Sequence, residues 1–164
     1  DILVKENISL VCTGIPFSPE EFDLFDKMGI RNNLLYFFAD DVTLPFFYRN
    51  AIAFIFPSIY EGFGIPVLEA FSNDCPVILS NSSCLPEVAG DAALYFNPLK
   101  TNEICDTILK LKNNTELQNK LIKAGQGRVL ENNSTWDENA KNILNELTKL
   151  AEVKPNLPQT NAKH

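Results

Sequence analysis

The chain has 164 residues, 45% hydrophobic and 21% charged, which suits one globular domain with a proper core and leaves too little for two. A net charge of −7 and a pI near 4.7 argue against a surface that binds nucleic acid by displacing counterions. The lone histidine is the last residue, His164, which excludes an internal Ser-His-Asp triad and a multi-histidine zinc site.

Apolar runs of strand length alternate with amphipathic stretches over the first two thirds of the chain, the pattern of an α/β domain with a mainly parallel sheet. Ile8–Cys12 reads as a short strand closed by Gly14 and Pro16. Ser18-Pro-Glu-Glu then opens a helix, with serine at the cap, proline in the first turn and acids at the positive end of the dipole. That helix is predicted to run to about Gly29. Leu34–Phe38 is the next strand, followed by a helix from about Leu44 to Asn50. Ala51–Phe56 is apolar throughout and predicts a central strand buried on both faces. A loop, Ser58–Gly64, leads into a helix from Ile65 to about Asn73. Pro76–Ser80 and Ala92–Phe96 are further strands, with a short helix, Leu85–Gly90, between them. From Asn102 onward only helices are expected. Three stripes at helical spacing predict core-facing sides: Ile104, Ile108, Leu109 and Leu111; Leu117, Leu121 and Ile122; Ile143, Leu147 and Leu150. One domain over residues 1–152 and a disordered tail over 153–164 complete the expected organisation.

No apolar run approaches the roughly 20 residues that span a bilayer. No secretory leader is visible, and the start at Asp1 suggests a missing upstream part. Cys12, Cys75, Cys84 and Cys105 are scattered, without metal-like spacing, and predict reduced, mostly buried thiols in a cytoplasmic protein.

In an open α/β sheet, ligands bind beyond the carboxyl ends of the strands. Residues 57–64 lie at such an end and lead into a helix N-terminus. Gly62 and Gly64 let a ligand approach the backbone there. The first N–H groups of the helix lack internal partners and carry partial positive charge, so they suit a diphosphate or sugar hydroxyls. Glu61 lies in the loop, and Glu69 lies one turn past Ile65 on the same helix face. A carboxylate that accepts hydrogen bonds from two vicinal hydroxyls is a natural ribose holder.

The run Tyr60-Glu-Gly-Phe-Gly-Ile-Pro-Val-Leu-Glu-Ala70 resembles the E-x7-E signature of the retaining group 1 (family 4) glycosyltransferases. Phe56-Pro-Ser58 before it agrees, as do Pro76-Val-Ile78, Ser80-Asn81 and Leu85-Pro-Glu-Val-Ala-Gly-Asp91 after it. The resemblance covers about residues 8–150 and is most specific over 48–98. It implies the GT-B fold, two Rossmann-like domains facing each other across a cleft, with this chain as the C-terminal, nucleotide-sugar-binding domain, incomplete at its N-terminus. It also implies roles. Glu61 would contact the transferred sugar near the reacting carbon, as the catalytic carboxylate. The amides of Gly62, Phe63, Gly64 and Ile65 would bind sugar hydroxyls and phosphate. Leu68 would pack under the nucleoside, Glu69 would grip the ribose, and Phe37 and Phe38 would line the base pocket. A nucleoside-diphosphate sugar is the implied donor, with neither metal nor cofactor. The acceptor, a sugar or lipid-linked glycan, would be held by an N-terminal domain absent from this chain. For the full-length protein, peripheral membrane attachment is left open.

Two departures stand against the resemblance. Tyr36 occupies a strand position at which the family has glycine. The turn Thr13-Gly-Ile-Pro-Phe-Ser-Pro19 has no basic residue where the family supplies cations for the diphosphate; Lys5 and Arg31 are the nearest substitutes, though such charges are ordinarily solvated surface. The family's upstream strand, in the middle of its sheet, is absent too. The expectation is therefore the donor-binding half of a retaining glycosyltransferase, inactive alone. The alternatives are a non-catalytic nucleotide-sugar-binding module and, more remotely, a nucleotide-sugar epimerase of the same architecture.

Overall fold

The computed structural model describes residues 2–131 and 136–152. By compactness the chain divides after Val129, and the two units are taken separately.

The first unit holds five strands, all paired in parallel. It opens with a single helical turn, α1 (Ile2–Lys5), which no periodicity announced. β1 (Leu10–Thr13) follows, then α2 (Pro19–Met28). The predicted start of α2 takes the form of a capping box. The Glu21 N–H donates to Ser18 Oγ at 3.2 Å, and the Ser18 N–H donates to Glu21 Oε2 at 2.7 Å. Gly29 closes the helix. β2 (Leu34–Phe37) and α3 (Leu44–Asn50) lie where the sequence put them. β3 (Phe54–Phe56), α4 (Ile65–Ser72), β4 (Val77–Ser80), α5 (Leu85–Ala89) and β5 (Ala93–Phe96) come next, and then α6 (Thr101–Lys112) and α7 (Thr115–Glu131).

Instead of one sheet there are two: β1-β2, and β3-β4-β5 in that order. β3 is therefore an edge strand, which corrects the central position predicted for Ala51–Phe56. Its three residues are half-buried, and Ile52 before it is 49% exposed. The apolar run is long because Ala51 also closes α3, so not all of it is strand. The central, fully buried strand is β4.

Alternation along β3, β4 and β5 builds two cores. Phe54, Phe56, Val77, Leu79, Ala93 and Tyr95 face one cluster, with Tyr48 of α3, Val67 and Phe71 of α4, and Leu85 of α5. Ile55, Ile78, Leu94 and Phe96 face the other, with Ile104, Ile108 and Leu111 of α6 and Leu117 and Leu121 of α7. Helices thus cover both faces of this sheet, as parallel strands require. Two of the three predicted stripes are core-facing. The smaller sheet is less covered: Leu10, Cys12, Leu34 and Tyr36 are half-buried, whereas Val11, Leu35 and Phe37 are exposed. On its α2 side Phe17 meets Phe22, Phe25 and Tyr36 edge-on.

In the second unit the described structure is the end of α7 and α8 (Trp136–Glu152). Ile143 and Leu147 are 62% and 57% exposed, so the third stripe does not face a core within the described residues. The tail expected over 153–164 lies outside them. No described helix is long and apolar enough to cross a membrane. All four cysteines are free, but only Cys75 is buried and the other three are half-buried, a correction to the mostly buried set predicted. Burial pushes the Cys75 thiol up to about 12.

Candidate functional site at the carboxyl end of the larger sheet

β3 and β4 are neighbours in parallel, with Phe56 opposite Leu79, so the loops that follow them leave the sheet at the same end. This brings residues 57–64 against residues 81–85. The Ser83 hydroxyl donates to the Glu61 carbonyl at 2.8 Å and accepts from the Glu61 N–H at 3.4 Å. The Cys84 thiol donates to the same carbonyl at 3.3 Å. The Glu61 residue itself is half-buried.

Gly62 and Phe63 stay exposed at the tip of the loop. Gly64, the N-cap of α4, is buried with φ 87° and ψ 47°, a left-handed conformation that an L side chain resists. A Cβ there would also lie 2.8 Å from Leu85 Cδ2. Both the turn and the close approach require glycine. No side chain caps α4, and Pro66 in its first turn has no N–H to satisfy. The Val67 N–H donates to the Gly64 carbonyl at 2.9 Å, so the first turn leaves the N–H of the exposed Ile65 for a ligand.

Leu68 is half-buried against the first core cluster. Glu69 is exposed, and its Oε2 accepts a hydrogen bond from the Tyr48 hydroxyl at 3.3 Å. Tyr48 is only 6% exposed, and its ring meets Phe54 edge-on. Burial, followed by the charge of Glu69, holds the phenol well above its ordinary range. Tyr48 thus serves Glu69 as a neutral donor. At the end of β2, Phe37 contacts Phe47 of α3 at 5.3 Å between ring centres, and Phe38 is 80% exposed.

The nine residues singled out in the sequence fall into two groups. Glu61, Gly62, Phe63, Gly64, Ile65, Leu68 and Glu69 form one loop-and-helix segment; Phe37 ends a strand of the other sheet against Phe47 of α3, and Phe38 follows it. Tyr48, Ser83 and Cys84 were missed. Tyr36, one of the two departures, donates its hydroxyl to the Gly14 carbonyl at 2.9 Å and so ties the ends of β1 and β2 together. Arg31 is committed to α2: it pairs with Asp26 at 3.5 Å and lies 3.8 Å over the Phe22 ring.

The family model described as glycosyl transferases group 1 matches residues 2–128. The chain belongs to the group 1 glycosyltransferases. Among its relatives, O-antigen chain mannosyltransferase B of Escherichia coli is 47% identical over 73 residues, 44% of this chain and 19% of the relative. The O-antigen chain mannosyltransferase RfbU of Salmonella typhimurium is 47% identical over 95 residues, 56% of this chain and 26% of the relative. The chain therefore spans about a fifth and about a quarter of these two group 1 relatives. The fold is shared with sucrose-phosphate synthase from Thermosynechococcus elongatus, at TM-score 0.75 and 20% identity over 92% of this chain and 41% of that one. It is also shared with Anabaena HepE, solved in complex with UDP, at TM-score 0.74 and 16% identity over 90% and 44%. These neighbours show that the chain has the fold of a GT-B glycosyltransferase domain, and it spans less than half of each.

Proposed function

We propose that this chain is the donor-binding half of a retaining glycosyltransferase that moves a sugar, mannose by analogy with its O-antigen relatives, from a nucleoside diphosphate to an acceptor held elsewhere. The observation that carries this reading is the segment Glu61–Glu69: a carboxylate, a tip of exposed backbone, an uncapped helix start and a second carboxylate, at the carboxyl end of a parallel strand.

In this reading Glu61 contacts the transferred sugar beside its anomeric carbon. The amides of Gly62, Phe63, Gly64 and Ile65 donate to sugar hydroxyls and to the diphosphate. Leu68 supports the nucleoside from below, and Phe37 and Phe38 line the base pocket. Glu69 accepts from the ribose hydroxyls while Tyr48 fixes its other oxygen. The bond from the anomeric carbon to the diphosphate oxygen breaks, the acceptor oxygen attacks the same face, and its proton passes to the departing phosphate. Donors already aimed at the diphosphate stabilise the charge that develops there. Neither metal nor cofactor enters this scheme.

A second reading, a nucleotide-sugar-binding module without catalysis, is favoured by one observation. The turn Thr13–Pro19 has no cation, and Arg31, one of the two nearest substitutes, is already paired with Asp26.

Calorimetric titration with UDP, GDP, ADP and their sugar conjugates tests the donor site. One nucleotide series is expected to bind, and Glu69→Gln to weaken it about tenfold or more, since a hydrogen bond to a charged group is typically worth about 1.5–3 kcal/mol. Unchanged affinity in Glu69→Gln would remove the ribose role.

A further inference from the structure

Ser83 adopts φ 56°, the left-handed region that a serine enters only at a cost and a glycine enters freely. Its hydroxyl is where that cost is offset. Across 22 residues of sequence it closes a two-way clasp on one residue, donating to the Glu61 carbonyl and accepting from the Glu61 N–H. Cys84 adds a third contact to the same carbonyl. Backbone fixed on both sides of Glu61 fixes the direction of its Cα–Cβ bond, while the carboxylate is left for a ligand. Active groups must be held to within roughly 0.5 Å for full effect, and a loop beside two glycines does not provide that by itself.

We infer that Ser83 is a positioning residue for Glu61, acting on recognition of the sugar rather than of the nucleotide. This rests on the reading of Glu61 as the carboxylate that meets the transferred sugar. Ser83 would be a device of specificity: it sets how much tighter a nucleotide sugar binds than its bare nucleoside diphosphate.

The test uses the whole chain with Ser83→Gly and Ser83→Ala. Glycine relieves the backbone strain, so Ser83→Gly is expected to keep or raise Tm. It is nevertheless expected to lower the 15N order parameter of the Glu61 amide, whose N–H and carbonyl the clasp holds, and to leave those of Gly62–Ile65, which meet the diphosphate, unchanged. It should also weaken whichever UDP-, GDP- or ADP-sugar binds by about fivefold, the equivalent of one ordinary hydrogen bond, and leave the matching bare diphosphate unaffected. Ser83→Ala should behave alike at lower Tm. A packing role alone would weaken sugar and diphosphate together, and that result overturns the inference. An unaltered Glu61 order parameter overturns it too, whatever the ligands do. If the wild-type chain takes up diphosphates but gains nothing from the sugar, the role of Glu61 falls and the clasp's purpose with it. If it takes up none, the donor reading itself fails.

Discussion

One hydrogen bond joins the buried ring of Tyr48 to the exposed carboxylate of Glu69, and removing it separates binding from packing. Tyr48→Phe keeps the edge contact with Phe54 and deletes only the donor. Donor-nucleotide affinity is expected to fall about three- to tenfold, read by calorimetry, with little change in Tm. An equal loss of stability would mean that the hydroxyl serves the core instead. Gly125 and Gly127, both on α7, form a second test at this scale. A Cβ on Gly125 would come within 2.5 Å of Phe71 Cδ1, on a ring 2% exposed in the core, whereas one on Gly127 meets nothing within 4 Å. Overpacking costs typically about 1–3 kcal/mol, more than the roughly 1 kcal/mol that alanine returns over glycine in a helix. Gly125→Ala should therefore destabilise by up to about 2 kcal/mol and Gly127→Ala stabilise by about 0.5–1 kcal/mol in denaturant titrations. Glu61 and Glu69 were legible as a pair because their spacing is local. Tyr48, Ser83 and Cys84 were not, since their importance arises only when α3 meets α4 and when the loops after β3 and β4 leave the sheet side by side.

Local signals located most elements. The start of α2 was read from Ser18, Pro19 and two acids. Failures occurred where the environment decides. The run Ala51–Phe56 is apolar enough for a central strand, yet pairing with β4 on one side makes β3 an edge. Ile143 and Leu147 have the spacing of a core stripe, and periodicity does not say what covers it. The turn into α3 makes an acid-sensitive element. Asp40 Oδ1 accepts from the Thr43 hydroxyl at 2.7 Å and from its N–H at 2.8 Å, and these bonds, the hydroxyl first, hold the carboxyl below its ordinary range. A carboxyl lowered in the folded state contributes stability above its unfolded pKa and loses it as pH falls through the folded value. The wild-type advantage over Asp40→Asn is thus expected to be full at neutral pH and to fade below the ordinary carboxylate range. Glu103, lowered by Lys100 and then by the Asn97 N–H, adds to the acid sensitivity of the wild type with the same sign. Parallel thermal melts from neutral to acid pH check this. A difference that persists at the lowest pH would assign the effect to geometry and not charge.

At the scale of the molecule, alternating strands and helices announced a parallel α/β fold, but not its division into β1-β2 and β3-β4-β5, because strand neighbours are not a local property. The division also bears on activity. The described strands form two separate sheets, and the chain spans 19% and 26% of two group 1 relatives named as mannosyltransferases. Much of a transferase's rate enhancement comes from holding acceptor and donor together, with effective molarities of roughly 10⁵–10⁸ M. A donor-binding half, as proposed for this chain, forfeits that term. The turn after β1 also supplies no cation for the departing diphosphate. Two separate deficits thus point the same way: one in positioning the acceptor, the other in stabilising the leaving group. The expected outcome is that the chain binds a nucleotide sugar but moves no labelled sugar onto sugar or lipid-linked glycan acceptors above the hydrolytic background. Joining an acceptor domain to it is expected to restore transfer only if the first deficit dominates, and to leave the chain a binding module if the missing cations do. Transfer by the chain alone would refute both and make Glu61–Glu69 sufficient for catalysis.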